Sequence, residues 1–152
     1  MKIRYTIDIN STPERVFYWL ATPERAMVWQ TSVSRTEILQ ETPDVIGTTF
    51  RETIEENGQS TELYGEVRDY EKNRSIVMHL SGKFNVVDEE WRLDKIGERT
   101  RLTVKSKIRF RSYIGLLSFL MRPVFKKRIL EQLSREVTRL KELAERDTPG
   151  DG

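Results

Sequence analysis

Residues 2–10 alternate between apolar and polar positions, with Ile3, Tyr5, Ile7 and Ile9 set against Arg4, Thr6 and Asp8. A period of two marks a strand that buries one face. The alternation stops at Thr12-Pro13-Glu14-Arg15, and the same four residues return as Thr22-Pro23-Glu24-Arg25. In each copy threonine suits a helix N-cap. Proline suits the first helical position, where its missing N–H costs nothing, and glutamate suits the first turn, where the helix dipole favours an anion. The two copies therefore predict two short helices. One runs to about Leu20 and buries Val16, Phe17 and Leu20; the other closes near Trp29. They are start signals for helices rather than a duplicated domain or a binding motif.

Strand-like runs follow. Val33–Gln40 is one, and a loop with Pro43, Asp44 and Gly47 comes after it. Thr48–Glu56 and Gln59–Tyr70 flank Asn57-Gly58, a hairpin signal because a type I′ turn needs positive φ at both positions. Ser75–Leu80, Phe84–Asp94 and Thr100–Arg111 complete the set, separated by short turns such as Ser81-Gly82-Lys83 and Gly97-Glu98. In the last of them Leu102, Val104, Ile108 and Phe110 share the inner phase. Beyond residue 112 the period becomes helical: Phe125, Ile129, Leu133, Val137, Leu140 and Ala144 form one stripe. Glu131/Arg135, Lys141/Glu145 and Glu142/Arg146 suit its exposed side. The tail 147–152, DTPGDG, is helix-stopping and expected to be mobile.

Strand, two short helices, six strands and a long helix predict an α+β architecture. Short turns make the strands from 47 to 112 an antiparallel meander, and one amphipathic helix must lie on one face of the seven-stranded sheet. A curved sheet wrapped on a helix need not fill its own interior, so an internal cavity is expected.

The stretches IDINSTPERVFYWLATPERAMVW, GEVRDYEKNRSIVMHLSG, EEWRLDKIGERTRLTV and GLLSFLMRPVFKKRILEQLSREVTRLKELAE, in this order, resemble the helix-grip fold of the START-like (SRPBCC, birch-pollen-allergen-like) superfamily. Within it they most resemble the polyketide cyclase/dehydrase and lipid-transport group. The resemblance covers about residues 2–146, implying one helix-grip domain over 1–146. It also implies binding of a hydrophobic or amphipathic molecule between sheet and long helix. Some members of the superfamily cyclise or dehydrate polyketides and others carry lipids.

Composition narrows the chemistry. The 152 residues contain no cysteine and one histidine, His79. Disulfides, cysteine-ligated metals and multi-histidine metal sites are thereby excluded. No cofactor is expected. The opening MKIRYTIDIN has no signal-peptide h-region, and no apolar stretch reaches the roughly 20 residues needed to span a bilayer; a soluble cytoplasmic protein, monomer or homodimer, is the expectation. Net charge is only +2, but acids concentrate between Glu37 and Glu71 and bases between Lys105 and Leu130. Two such segments are expected to pack side by side and offset each other.

Candidate ligand-binding residues are the large groups on inner phases: Trp29, Phe50, Met78, Trp91, Leu102, Phe110, Phe125, Ile129 and Leu133. Polar candidates are Tyr5, Glu52, His79 and Glu89. Glu52 is in phase with Phe50 and Ile54, and Glu89 with Val87, Trp91 and Leu93. A carboxylate on that side is costly unless wetted or paired, and burial raises its pKa into the range of an acid/base; a bulge would instead turn it to water. His79 is opposite in phase to Ile76, Met78 and Leu80, which puts it on the outer face; inside the pocket it would be an acid/base near neutral pH. No nucleophile–base pair, phosphate loop or metal cluster stands out, so a catalytic residue is not assigned. Tyr113–Phe125, flanked by Arg109, Arg111 and Lys126-Lys127-Arg128, is read as the start of the long helix. It is also a candidate peripheral membrane contact within 105–128, or a gate hinged at Gly115. The same basic run leaves a membrane- or ribosome-associating module as a further reading. Nucleic acid is disfavoured, because the basic run has little aromatic interleaving of the kind that stacks bases.

Overall fold

A computed structural model describes residues 1–56, 58–111 and 121–146. Strand β1 (Lys2–Ile9) leads into helices α1 (Pro13–Leu20) and α2 (Pro23–Trp29). Strands β2 (Val33–Gln40), β3 (Thr49–Glu56), β4 (Gln59–Glu71), β5 (Ser75–Gly82), β6 (Asn85–Ile96) and β7 (Arg99–Phe110) follow, and α3 (Arg122–Arg146) closes the order. The seven strands form one antiparallel sheet in the order β1-β7-β6-β5-β4-β3-β2, so β1 and β2 are its edges. The element order is the α+β one that the hydrophobic pattern predicts, and the architecture is the helix grip that the resemblance implies. Asn57 and the segment 112–120 lie outside the described residues, and so do most of the predicted gate and membrane segment, its hinge Gly115, and the tail.

Alternation sets the sheet's two faces. Ile3 and Ile9 of β1, Trp91 and Leu93 of β6, and Leu102, Val104 and Ile108 of β7 are buried on the inner one, with Val137, Leu140 and Ala144 of α3 completely covered. Register shifts interrupt the alternation between Val33 and Arg35, between Ile38 and Gln40, and between Val67 and Asp69. Each adds a residue on one strand and changes which residues point inward beyond it.

Both TPER stretches start helices at Pro13 and Pro23, as expected, but neither threonine caps with its side chain. At α1 the Thr12 carbonyl accepts from both Arg15 N and Val16 N at 3.1 Å. The backbone thus provides what the hydroxyl was expected to supply.

Helix α3 is fastened at several points. Tyr5 Oη and Ser134 Oγ lie 3.2 Å apart, Lys141 Nζ donates to the Asp8 carbonyl at 3.1 Å, and Asn10 N donates to Glu145 Oε1 at 2.8 Å. On its other flank Arg139 Nε donates to the Val28 carbonyl at 2.8 Å, next to the C-terminal end of α2. Helix α3 thus lies beside β1, with α1 and α2 at its flank, while α2 approaches β2.

The expected pairing of the acidic and basic segments is not what the sheet does. β7 and β3–β4 are separated by β6 and β5. Bases of β7 meet acids of its immediate neighbours instead: Arg101 with Asp8, Lys105 with Glu90 and Arg109 with Asp88. Adjacent strands, not sequence blocks, decide the partners. No helix among the described residues is long and apolar enough to cross a membrane.

Candidate functional site

A cavity of about 150 Å³ lies between the inner face of the sheet and the α1–α2 corner. Leu20, Ala21, Thr22, Pro23, Ala26 and Trp29 cover it from the helices; Phe50, Glu52, Val67, Tyr70, Met78 and Trp91 are among the residues that floor it from β3 to β6. Thr36 and the exposed Ile38 of β2 are on its rim, with Val45 of the following loop. Val45 has φ of +72°, a strained value for a β-branched residue. The loop holds it there by Val45 N donating to Thr42 O at 3.2 Å and Thr48 N donating to Val45 O at 2.9 Å.

Two packing details shape the walls. Opposite Phe50 in the register stands Gly65. A Cβ built at Gly65 would lie 2.2 Å from Phe50 Cζ, so the phenyl ring rests directly on the glycine backbone. Trp29 Nε1 donates to the Trp19 carbonyl at 2.9 Å, and the Trp29 and Trp91 rings are tilted by 58° with centroids 5.5 Å apart. Two indoles thus form a fixed corner of the cavity.

Among the described residues Glu52 is the one ionisable carboxyl in the wall. Burial pushes its pKa up to about 7, and the charges of Glu89 and Glu136 push in the same direction. Glu89 stands just behind Trp91, whose Nε1 donates to its Oε1 at 2.6 Å. Burial raises Glu89 as well, to about 7; the indole hydrogen bond works against this, and Glu136 adds to it. Glu136, on α3, is buried but well solvated by protein. Its Oε1 accepts from Thr31 N at 2.8 Å, Ser32 N at 3.0 Å, Thr31 Oγ1 at 3.1 Å and Ser32 Oγ at 3.0 Å. Three carboxyls from β3, β6 and α3 therefore act on one interior, and among the described residues no lysine, arginine or histidine lines the cavity. Nor is any group of three or more acidic or histidine side chains among the described residues arranged to hold a metal ion. At neutral pH a carboxyl titrating near 7 can donate or accept a proton or a hydrogen bond.

Of the sequence candidates, Trp29, Phe50, Met78, Trp91 and Glu52 meet at this cavity. The others stand elsewhere. Leu102 is wholly covered in the core. Phe110 stacks obliquely on Phe125, centroids 6.3 Å apart, and Phe125, Ile129 and Leu133 are half-buried on α3 away from the cavity. Tyr5 is engaged with Ser134. Glu89 contacts a different depression, between the sheet and the first half of α3, with Ile3, Ser106, Lys126 and Leu130. His79 is on the outer face, its Nδ1 2.6 Å from Asp88 Oδ1, so it is not a pocket group. The expected site under the long helix is thus displaced: no residue of α3 lines the cavity. Sequence reasoning missed Thr22, Pro23 and Ala26, small groups that carry no chemical signal. Glu136 was missed too, although an acid between Leu133 and Leu140 on the buried stripe could have been noticed by its spacing.

The sequence profile for polyketide cyclase/dehydrase and lipid transport proteins matches residues 1–145. Among solved structures, the chain is similar to the Zhui aromatase/cyclase from Streptomyces sp. R1128, at 17% identity and a TM-score of 0.81 over 100% of this chain and 98% of that one. It is also similar to a START superfamily protein from Mycobacterium smegmatis, at 20% identity and TM-score 0.78 over 97% and 99% of the two chains. A third, TTHA0849 from Thermus thermophilus, aligns at 18% identity and TM-score 0.79 over 95% and 97%. A search of curated proteins finds no sequence match. With the profile matched along nearly its whole length and the curved sheet gripping a C-terminal helix, the chain belongs to the polyketide cyclase/dehydrase and lipid transport family.

Proposed function

We propose that residues 1–146 act as one helix-grip unit that binds a small hydrophobic or amphipathic molecule in the cavity beneath α2. The observation that carries this reading is the cavity itself, with walls of indole, phenyl and aliphatic groups and one carboxyl among a few hydroxyls and an amide. Apolar burial supplies affinity at roughly 25 cal/mol per Å², and the sparse polar groups set orientation. A cavity of about 150 Å³ has room for about one aromatic ring, since an engineered void of about that size accepts benzene. A fused-ring polyketide or an acyl chain would enter with one end only, or by parting α2 from the β2–β3 loop.

A second reading is supported by Glu52. A carboxyl with a pKa of about 7 facing the cavity is suited to move a proton on a bound enolisable or phenolic ring, as a cyclase or dehydratase requires. Thermal-shift and native mass-spectrometry screens against monocyclic aromatics, quinones and fatty acids test binding. Ala26→Phe, which fills the space under α2, is expected to stay folded and lose the ligand-induced shift. Undiminished binding in that variant would put the site elsewhere. Turnover of a bound polyketide analogue, lost in Glu52→Gln, would favour the catalytic reading over simple carriage.

A further inference from the structure

We propose that the cavity selects a compact hydrophobic cation, a protonated amine on a single ring or short apolar stem, over neutral and anionic molecules of the same shape. This rests on the binding site proposed above and adds its charge preference. Three observations converge. First, the wall holds a carboxyl, Glu52, and no hydrogen bond or ion pair from a cationic side chain reaches it among the described residues. The undescribed residues cannot supply a cation either: Asn57, SYIGLLSFL at 112–120 and DTPGDG at 147–152 include no lysine, arginine or histidine. Second, the other charges that act on Glu52 are both negative, Glu89 from β6 and Glu136 from α3. Lys126 lies beside the depression that Glu89 touches, but forms no ion pair with Glu89 within 4.0 Å. Third, the apolar part of the wall includes the rings of Trp29, Trp91, Phe50 and Tyr70, a class of side chain whose quadrupole attracts a cation.

Each alternative ligand charge fares worse. An anion entering would meet Glu52 in the wall, with the charges of Glu89 and Glu136 acting from behind it and no compensating base in the lining. A neutral ring gains the apolar burial and leaves the repulsion among the acids in place. An ammonium gains the same burial, forms a charge-assisted hydrogen bond with Glu52 and offsets the like-charge repulsion. Binding of the cation is then coupled to loss of the Glu52 proton. Affinity for an amine should rise between pH 6 and pH 8, as Glu52 ionises near 7, while the amine itself stays protonated. The titratable groups facing Glu52 are Glu89, Glu136 and the phenol of Tyr70; α1, α2, β2 and β5 contribute none to the wall.

A charge series on one ring tests this. Benzylamine, benzyl alcohol and benzoate are titrated calorimetrically against the full chain at pH 6 and pH 8, with Glu52→Gln and Glu89→Gln run in parallel and their folding checked by circular dichroism. The expected order at pH 8 is benzylammonium tighter than benzyl alcohol by roughly tenfold or more, with benzoate weakest. Glu52→Gln should cost the amine far more than the alcohol and bring the two to similar affinities. Glu89→Gln should weaken the amine by a smaller factor. Equal affinities for amine and alcohol in the wild type, or an amine preference that survives Glu52→Gln, would overturn the proposal. If all three probes fail while quinones or fatty acids bind, the cation preference falls and hydrophobic binding stands. If nothing apolar binds, both fall.

Discussion

Replacing Glu52 with glutamine keeps the shape of the side chain and removes its proton equilibrium, which makes the cost of that equilibrium measurable. In the folded chain the Glu52 pKa rises from an ordinary 4.5 to about 7, chiefly through burial. A displacement of that size corresponds to about 3 kcal/mol between the protonated and ionised forms. Its sign follows from proton counting. Between pH 4.5 and 7 the folded state holds the Glu52 proton and the unfolded state does not. Stability from this group is therefore complete below pH 4.5 and is lost as pH rises to about 7 and beyond. Glu89, also raised to about 7, acts in the same window and the same direction. Because Glu89 is among the charges that raise Glu52, their contributions are not additive. Other shifted carboxyls do not confuse the reading: Asp8, Asp88 and Glu145 are lowered, so they act at more acid pH. The amino terminus, lowered from 8.0 by desolvation first, works in the opposite direction just below pH 8. Urea denaturation at constant ionic strength at pH 5, 6, 7 and 8 should show the wild type losing stability toward pH 8. Glu52→Gln should flatten that slope and be more stable than wild type at pH 8, by up to about 3 kcal/mol. A wild-type midpoint that is constant or rises from pH 5 to pH 8 would refute the reasoning. So would a Glu52→Gln slope indistinguishable from that of the wild type.

Gly65→Ala should destabilise the fold by about 1–3 kcal/mol, as overpacking does, and displace the Phe50 ring; an undisturbed melting temperature would show that the ring has freedom the packing denies. Thr12→Ala and Thr22→Ala should each change stability by less than about 0.5 kcal/mol, since neither hydroxyl caps its helix, and a loss of about 1 kcal/mol in chemical denaturation would mean that a side-chain cap does form. Glu136→Ala strands the backbone N–H groups of Thr31 and Ser32 and should cost at least about 2 kcal/mol; hydrogen exchange at those two amides, unchanged in the variant, would contradict this.

Much of the fold is legible because period two and period 3.6 are hard to confuse over 8 to 25 residues. The strand limits inferred from Ile3–Ile9 or Leu102–Phe110 need only the alternation. Inward phase is equally plain for Phe50, Met78 and Trp91, all of which reach the cavity. Legibility fails where the period is broken. The register shift between Val67 and Asp69 lets Tyr70 share the cavity with Val67, three residues apart on one strand, which simple alternation forbids. In β2 the shift after Val33 brings Thr36 and Ile38 to the cavity although the buried Val33 is of the opposite parity. A hydroxyl's direction is likewise invisible: TPER reveals the cap position, not that the Thr12 carbonyl takes both amides. Charge blocks misled for a related reason, since pairing depends on strand order, and β6 rather than β3 or β4 neighbours β7.

The position of the cavity follows from widths. Seven strands about 4.8 Å apart put about 29 Å between the outermost axes, while a helix with its side chains is about 10–12 Å across. One helix cannot cover such a face, even when the sheet curls. Helix α3 is fastened to the β1 side, by Tyr5, the Asp8 carbonyl and the Asn10 amide. The β2–β5 side is left to α2, whose 7 residues are about 10 Å of helix. Where α2 overlies the cavity it contributes Pro23 and Ala26 beside Trp29, and groups that small do not reach the floor of β3 to β5. Space is left there because the covering element is short and its side chains are small, while the long helix spends its apolar stripe on the solid core of Val137, Leu140 and Ala144. A ligand that must enter or leave therefore has less structure to move on the α2 side, at the strained Val45 loop and the edge strand β2, than beneath α3.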